Sequence, residues 1–371
     1  MTTARRTRIL IVDDSAVMRS LLRSVVSAHG GLEVAGTATD GASALNMLEA
    51  LHPDLMLLDV EMPVMDGLET LRRLRARENK IPVIVCSALT RRGASVTIEA
   101  LACGASDYVA KPAGQPDRET AVQALAQELI PRILALTAEP TERPAALPAL
   151  QSAAVPPLLI PPGAALLKPQ ALVPAAAVLA IGVSTGGPVA LDILLPALPA
   201  NFPIPVVVVQ HMPELFTGVF AERLNGHCRL AVREAAEGDP LRAGAIYIAR
   251  GNWHMEVLPP SCLRFLPTLH VSQGPHENHC RPAVDVLLRS AASVYGPGVL
   301  AVVLTGMGSD GMLGCRTVRG RGGSVLVRDQ ATSTVWGMPG AVVHAGLANK
   351  VLPLDAIAPE ILRIVCPQAS E

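Results

Sequence analysis

The chain has 371 residues, half of them hydrophobic and 17% charged, a globular balance long enough for two or three separately cored domains. A formal net charge of −1 and an aromatic content of 2% argue against a nucleic-acid partner, since they supply neither a basic field nor a base-stacking surface. Seven scattered cysteines without a CxxC pair suit free thiols in a reducing cytosol.

The opening MTTARRTRILIVDDS has only a four-residue apolar run before two aspartates, too short for a signal peptide. No stretch offers about 18 uninterrupted apolar residues. The expectation is a cytoplasmic protein with no direct membrane insertion. Strand-like runs at 8–12, 32–38, 54–58, 82–88 and 107–110 alternate with helical patterns near 15–29, 42–51, 66–76, 93–103 and 119–136. Parallel strands need crossover helices, so residues 1–136 predict a doubly wound parallel sheet. Residues 137–177 hold nine prolines and almost no charge, so neither helix nor sheet can propagate there. That texture predicts a semi-rigid Pro/Ala-rich linker. From 178 to 371 the alternation resumes. Strands are expected at 177–183, 205–210, 230–234, 245–249, 298–306 and 323–329, and helices near 188–198, 214–225, 281–295, 310–321 and 334–346. The runs PVVVV and VLAVVL are apolar throughout, as strands covered on both faces should be.

In the first half, Asp13 and Asp14 follow the first strand, Asp59 the third and Ser87 the fourth, and the fifth leads to Lys111. Carboxyl ends of neighbouring parallel strands meet in one crevice. Three carboxylates gathered there repel one another and invite a hard divalent cation, most simply Mg²⁺ with several waters kept. Asp59 could then act as nucleophile toward a phosphoryl group whose oxygens Ser87 and Lys111 would bind. The segments IVDDSAVMR, LLDVEMPVMDGLE, CSALT and YVAKP together resemble the receiver domain of two-component response regulators, over residues 8–112. That resemblance implies phosphorylation of Asp59 by a partner histidine kinase, Mg²⁺ held by Asp14, Asp59 and the backbone carbonyl of Glu61, and a switch aromatic at Tyr108.

In the second half, IGVSTGGP at 181–188 poses a choice between a phosphate cradle and a nucleophile. No lysine follows for a Walker loop, and Ser184 stands where a dinucleotide fingerprint wants glycine. Gly182, Ser184 and Gly186 satisfy GxSxG in the strand-to-helix setting of a nucleophile elbow. His211 follows PVVVVQ directly and is the expected base; Asp310 follows VLAVVLTGMGS and is the expected orienter. His254 and His344 are rival bases, each equally readable as structural. Asp285, inside a helix, is the weaker orienter, and Asp192 is expected in the first turn of its helix, where the dipole accounts for it. HENHC at 276–280 sets two histidines beside a cysteine, but no second ligand group stands out at zinc-site spacing, so a polar loop is expected.

IGVSTGGPVAL, VVQHMPELFTGVFAERL, AIYIARGNWHM, RPAVDVLLRSAA, LTGMGSDGM and WGMPGAV together resemble the catalytic domain of the chemotaxis protein-glutamate methylesterases. The resemblance implies a Ser184, His211 and Asp310 triad, Thr185 lining the site and the Met307 backbone N–H as oxyanion donor. Departures are Val183, where alanine is usual, and Trp336, where a smaller aromatic is common. It implies an α/β fold of two doubly wound parallel-sheet domains, a flavodoxin-like receiver and a Rossmann-like catalytic domain. The implied activity is phosphorylation-activated demethylation of γ-glutamyl methyl esters on methyl-accepting chemoreceptors and deamidation of receptor glutamines, with no cofactor for the ester chemistry. The alternative is a phosphorylation-switched binding module without esterase activity. A DNA-binding regulator is disfavoured because no basic recognition helix is visible.

Overall fold

A computed structural model describes residues 5–112, 115, 117–138, 176–262 and 265–366. All but the two ends of the expected linker lie outside the described residues.

The first unit runs β1 (Thr7–Val12), α1 (Ala16–Ala28), β2 (Leu32–Ala38), α2 (Gly41–Leu51), β3 (Leu55–Asp59), α3 (Gly67–Ala76), β4 (Val83–Ser87), α4 (Arg91–Ala102), β5 (Asp107–Ala110) and α5 (Arg118–Thr137). Its strands pair in parallel in the order β2-β1-β3-β4-β5, so the order reverses between β1 and β3. All five helices start on a side-chain cap: Ser15, Asp40, Asp66, Thr90 and Asp117 each accept a backbone N–H three residues on. These caps set where each helix leaves the sheet edge that carries the acids.

The second unit contains β6 (Val178–Val183), α6 (Gly187–Leu194), β7 (Val206–Gln210), α7 (Glu214–Asn225), β8 (Ala231–Glu234), β9 (Ala245–Ile248), β10 (His254–Leu258) and β11 (Thr268–Ser272). It continues through α8 (Val284–Tyr295), β12 (Val299–Val303), α9 (Met312–Gly320), β13 (Ser324–Arg328), α10 (Gly337–His344), β14 (Lys350–Leu352) and α11 (Leu354–Val365). Seven strands form a parallel sheet, β14-β13-β12-β6-β7-β9-β8. Strands β6, β7 and β12 are buried along their whole length, as their unbroken apolar runs require. The chain winds outward from β6 in one direction and returns through β12 in the other. The reversal between β6 and β12 is where ligands of open α/β sheets bind.

Four elements were not expected from the sequence: β14, α11 and the antiparallel hairpin β10–β11. The hairpin follows a loop rather than a crossover helix, so the βα rhythm hides it. Helix α11 carries Pro359 inside it, a residue that reads as a breaker. Two placements change accordingly. His254 follows β9 as expected but itself opens β10, and its ring is spent: Nε2 donates to the Pro275 carbonyl (2.8 Å) and Nδ1 accepts from Ala283 N–H. Asp192 lies in the second turn of α6, not the first, and pairs with Arg223 at 3.2 Å.

The two units touch. Helix α4 packs on α6 and α7, and one apolar cluster runs from the first sheet into the second. Tyr108 of β5 stacks on Phe216 of α7, ring centroids 5.0 Å apart and planes 13° apart. Phe216 is fully buried. Phe216→Ala should therefore cost about 3–5 kcal/mol, read from urea unfolding of the full chain; an unfolding midpoint equal to wild type would mean that the stack contributes nothing to stability.

Candidate functional site

Ser184 follows β6 in a tight turn: its N–H donates to the Thr305 carbonyl and its own carbonyl accepts from Gly187 N–H, both at 2.8 Å. Two glycines make room for that turn. Gly186 has φ +74°, and a Cβ there would meet Thr334 Oγ1 at 2.3 Å. A Cβ on Gly306 (φ +156°) would lie 2.6 Å from Ser184 Cβ. Helix α6 begins immediately after, with no side-chain cap on its N-terminus, which leaves that end's partial positive charge available to a developing oxyanion.

His211 follows β7, the neighbour of β6, and Asp310 lies in the loop after β12, its neighbour on the other side. His211 Nε2 donates to Asp310 Oδ2 at 2.8 Å. Asp310 is buried and also accepts from the backbone N–H groups of Val284, Asp285 and Gly311 and from Asn278 Nδ2. Burial works to raise the Asp310 carboxyl, but its bond to His211 and the amides of Val284 and Asp285 outweigh it and hold the carboxyl low. Burial works the opposite way on the His211 imidazole, and the bonds to Asp310 and to the Cys280 thiol overcome it, raising the ring to about 9. Cys280 Sγ stands 3.6 Å from His211 Nδ1. Among the described residues, Ser184 Oγ and His211 share one cavity without a direct hydrogen bond between them.

That cavity, about 620 Å³, is walled by both units: Asp107, Tyr108 and Arg132 on one side, Ser184, Thr185 and His211 on the other. Across it, Thr185 Oγ1 donates to Asp107 Oδ2 at 2.7 Å. Arg132 Nε lies 3.3 Å from the same oxygen. Burial pushes the Asp107 carboxyl up, against the pull of Arg132. Met307 does not line the cavity; it is half-buried beside Gly306, and among the described residues its N–H donates to no protein acceptor. Trp336 also stands outside the lining and makes a T-shaped contact with His344, ring centroids 5.4 Å apart. Asp285 does not reach His211; it accepts from Gly314 N–H and from the same Asn278 that binds Asp310.

The acid cluster forms at the reversal of the first sheet. One carboxylate oxygen each from Asp13, Asp14 and Asp59 lie within 4.8 Å of one another. Asp13 and Asp59 are buried and Asp14 is exposed. Lys111 Nζ sits 2.9 Å from Asp13 Oδ2 and 2.7 Å from Asp59 Oδ2. Ser87 is buried at the end of the adjacent β4. Glu61 donates its N–H to Asp59 Oδ1 and turns its side chain to Arg92. Among the described residues Asp13 Oδ2 accepts no hydrogen bond of good geometry. The all-oxygen donor set of Asp13, Asp14 and Asp59 fits a hard cation such as Mg²⁺.

Several participants escaped the sequence reading. Gln210 Nε2 lies 3.0 Å from the Ser184 carbonyl and 3.1 Å from that of His211, tying nucleophile and base backbones together. Its signal was a lone amide closing an apolar strand. Asn278 and Cys280 sit in the HENHC segment, whose partners lie far away in sequence. Asp107 gave no signal because its partner Thr185 belongs to the other unit, and Arg132 joins the site only through Asp107.

Among known proteins, the CheB methylesterase family matches residues 179–361 and the response regulator receiver domain family residues 9–123. A relative from Nocardioides sp., named protein-glutamate methylesterase/protein-glutamine glutaminase, is 49% identical, the alignment covering 97% of this chain and 96% of the relative. One of the same name from Trichodesmium erythraeum is 45% identical, over 96% of this chain and 98% of its own. The solved catalytic domain of Thermotoga maritima CheB methylesterase superposes with a TM-score of 0.50 at 40% identity, covering 52% of this chain and all of that one. No helix among the described residues is long and apolar enough to cross a membrane. With identity at this level along nearly its whole length, the chain belongs to the protein-glutamate methylesterase/protein-glutamine glutaminase family.

Proposed function

We propose that the chain is a phosphorylation-controlled hydrolase that cleaves γ-glutamyl methyl esters, and the corresponding glutamine amides, on methyl-accepting chemoreceptors. The observation that carries this reading is the Asp310–His211 pair at 2.8 Å, opening on the cavity that Ser184 also lines. The names of the full-length relatives supply the substrate class.

In this reading Ser184 Oγ attacks the ester carbonyl and gives its proton to His211. In the chymotrypsin arrangement the carboxylate holds Nδ1 and Nε2 meets the serine. Here Asp310 holds Nε2, so Nδ1 is the nitrogen left for the hydroxyl. Thr185, beside the nucleophile, would line the bound ester. The tetrahedral oxyanion would form beside the uncapped start of α6, and the N–H of Met307 could serve it only by turning toward the cavity from its place next to Gly306. Collapse expels methanol, which takes the proton from His211; ammonia leaves in the same way from a glutamine. Water activated by His211 then releases the glutamate carboxylate and frees Ser184.

Control would come from Asp59, phosphorylated by a chemotaxis histidine kinase. Asp13, Asp14, Asp59 and the Glu61 carbonyl would hold Mg²⁺, whose charge would shield the carboxylates from the incoming phosphoryl group. Strand β5 supports a route to the other unit. It carries Asp107 and Tyr108, which touch Thr185 and Phe216, and leads directly to Lys111, which touches Asp59. Drawing Lys111 and Ser87 onto a phosphoryl group would shift β5 and loosen the wall it builds over the cavity.

Ser184→Ala should lower methanol release from methylated receptor by several orders of magnitude, the scale of losing a triad nucleophile; normal turnover by the variant would end the esterase reading. Only a neutral imidazole accepts the proton, so kcat/KM should climb with pH through a midpoint near 9. Asp310→Asn should move that midpoint down, and a wild-type midpoint at the ordinary imidazole value would mean that Asp310 and Cys280 do not hold the proton on the ring. Asp107→Ala, or removal of residues 1–137, should raise the basal rate without phosphodonor; an unchanged rate in both would show that the first unit does not occlude the site.

A further inference from the structure

We propose that Cys280 and His211 form a binding site for a soft divalent cation, Zn²⁺ being the natural occupant, inside the cavity that holds Ser184. The sequence left HENHC as a polar loop for want of a second ligand group. The fold supplies one from 69 residues upstream, at the end of β7.

Three features of the pair fit such an ion. The first is spacing. A thiolate at ~2.3 Å and an imidazole nitrogen at ~2.1 Å from a tetrahedral zinc stand about 3.6 Å apart. Cys280 Sγ and His211 Nδ1 are 3.6 Å apart, so the ion enters where the thiol proton now lies, without backbone movement.

The second feature is ring orientation. Asp310 is wholly engaged as an acceptor, by three backbone N–H groups, Asn278 and His211. Nε2 must therefore carry the hydrogen, which aims Nδ1 at the sulfur. A carboxylate behind a metal-binding imidazole is the outer shell that zinc sites use to fix the tautomer and strengthen the ligand. The third is access. Cys280 is half-buried on a cavity of about 620 Å³, where water can complete the coordination. By contrast Cys86 and Cys315 are buried, and burial pushes both thiols up, Cys86 to about 12. The ligand set also separates this site from the acid cluster of the first unit: sulfur and imidazole select zinc, and carboxylates select Mg²⁺.

Binding releases the thiol proton, and any proton on Nδ1, to the buffer, so affinity rises with pH. The ion occupies the lone pair that would take the Ser184 proton. Reversible inhibition of hydrolysis follows from that. This consequence rests on His211 being the base; the binding does not.

The test uses the reduced full-length protein with Co²⁺ as a spectroscopic stand-in and Zn²⁺ as the ion itself. Co²⁺ should give a thiolate-to-metal charge-transfer band in the near ultraviolet that disappears in Cys280→Ser. A slight molar excess of Zn²⁺ should slow iodoacetamide alkylation of Cys280 by at least about tenfold, since the free thiolate is the reactive species. Mapped by mass spectrometry on the wild-type chain, that measurement needs no variant. Asp310→Asn should weaken Zn²⁺ binding by about 10–100-fold, the usual cost of losing an outer-shell partner. A Co²⁺ band unchanged in Cys280→Ser, or alkylation of Cys280 as fast with zinc as without it, overturns the proposal. Metal binding without inhibition of methanol release would leave the site standing and count against His211 as the base.

Discussion

The hydrogen bond between His211 and Asp310 is the contact on which the site depends. Its two partners come from loops after β7 and β12, the strands on either side of β6, and Ser184 comes from β6 itself. A buried carboxylate is costly unless its oxygens are satisfied. Here backbone amides of Val284, Asp285 and Gly311 meet that cost. Those amides belong to the starts of α8 and α9, so the position of Asp310, and through it the ring of His211, is set by packed backbone rather than by a free rotamer. Gln210 does the equivalent for the main chain, touching the carbonyls of both Ser184 and His211. The result is a site built on strand ends, with the Cys280 loop facing Nδ1 of His211.

The same economy links the two units. Strand β5 is four residues long, yet it supplies the contacts to Thr185 and Phe216 and leads into the lysine that touches Asp59. Its displacement cannot be absorbed locally, because Asp107 and Tyr108 are buried between the units. Strand β5 therefore joins the surroundings of Asp59 to the wall of the cavity through a single short segment. In the proposed control, that segment is the element phosphorylation of Asp59 would bias.

Much of this was legible in the sequence. Unbroken apolar runs marked the central strands, and the polar residue after each one named Asp13, Asp59, Ser184 and His211 as neighbours along a sheet edge. Such inference works because parallel strands place their carboxyl ends together. It fails where contact is not carried by that rule. Cys280 and Asn278 reach the site from an irregular loop, and Asp107 and Arg132 reach it from the other unit, so no local pattern announces them. The β10–β11 hairpin and α11 were missed for a different reason: one breaks the strand–helix rhythm and the other contains a proline. His254 follows the expected motif but is consumed by Pro275 and Ala283, which only the hairpin's geometry reveals.

The central claim is that Ser184 is a nucleophile activated by His211 behind a wall that Asp59 controls. It is tested most directly by the rate at which a fluorophosphonate forms a covalent adduct with the full chain, located by peptide mass spectrometry, with and without a small-molecule phosphodonor. The account predicts a single adduct on Ser184 that forms faster once Asp59 is phosphorylated and is absent from His211→Ala. No adduct on Ser184 in either state, or labelling that ignores both His211 and the phosphodonor, would contradict it.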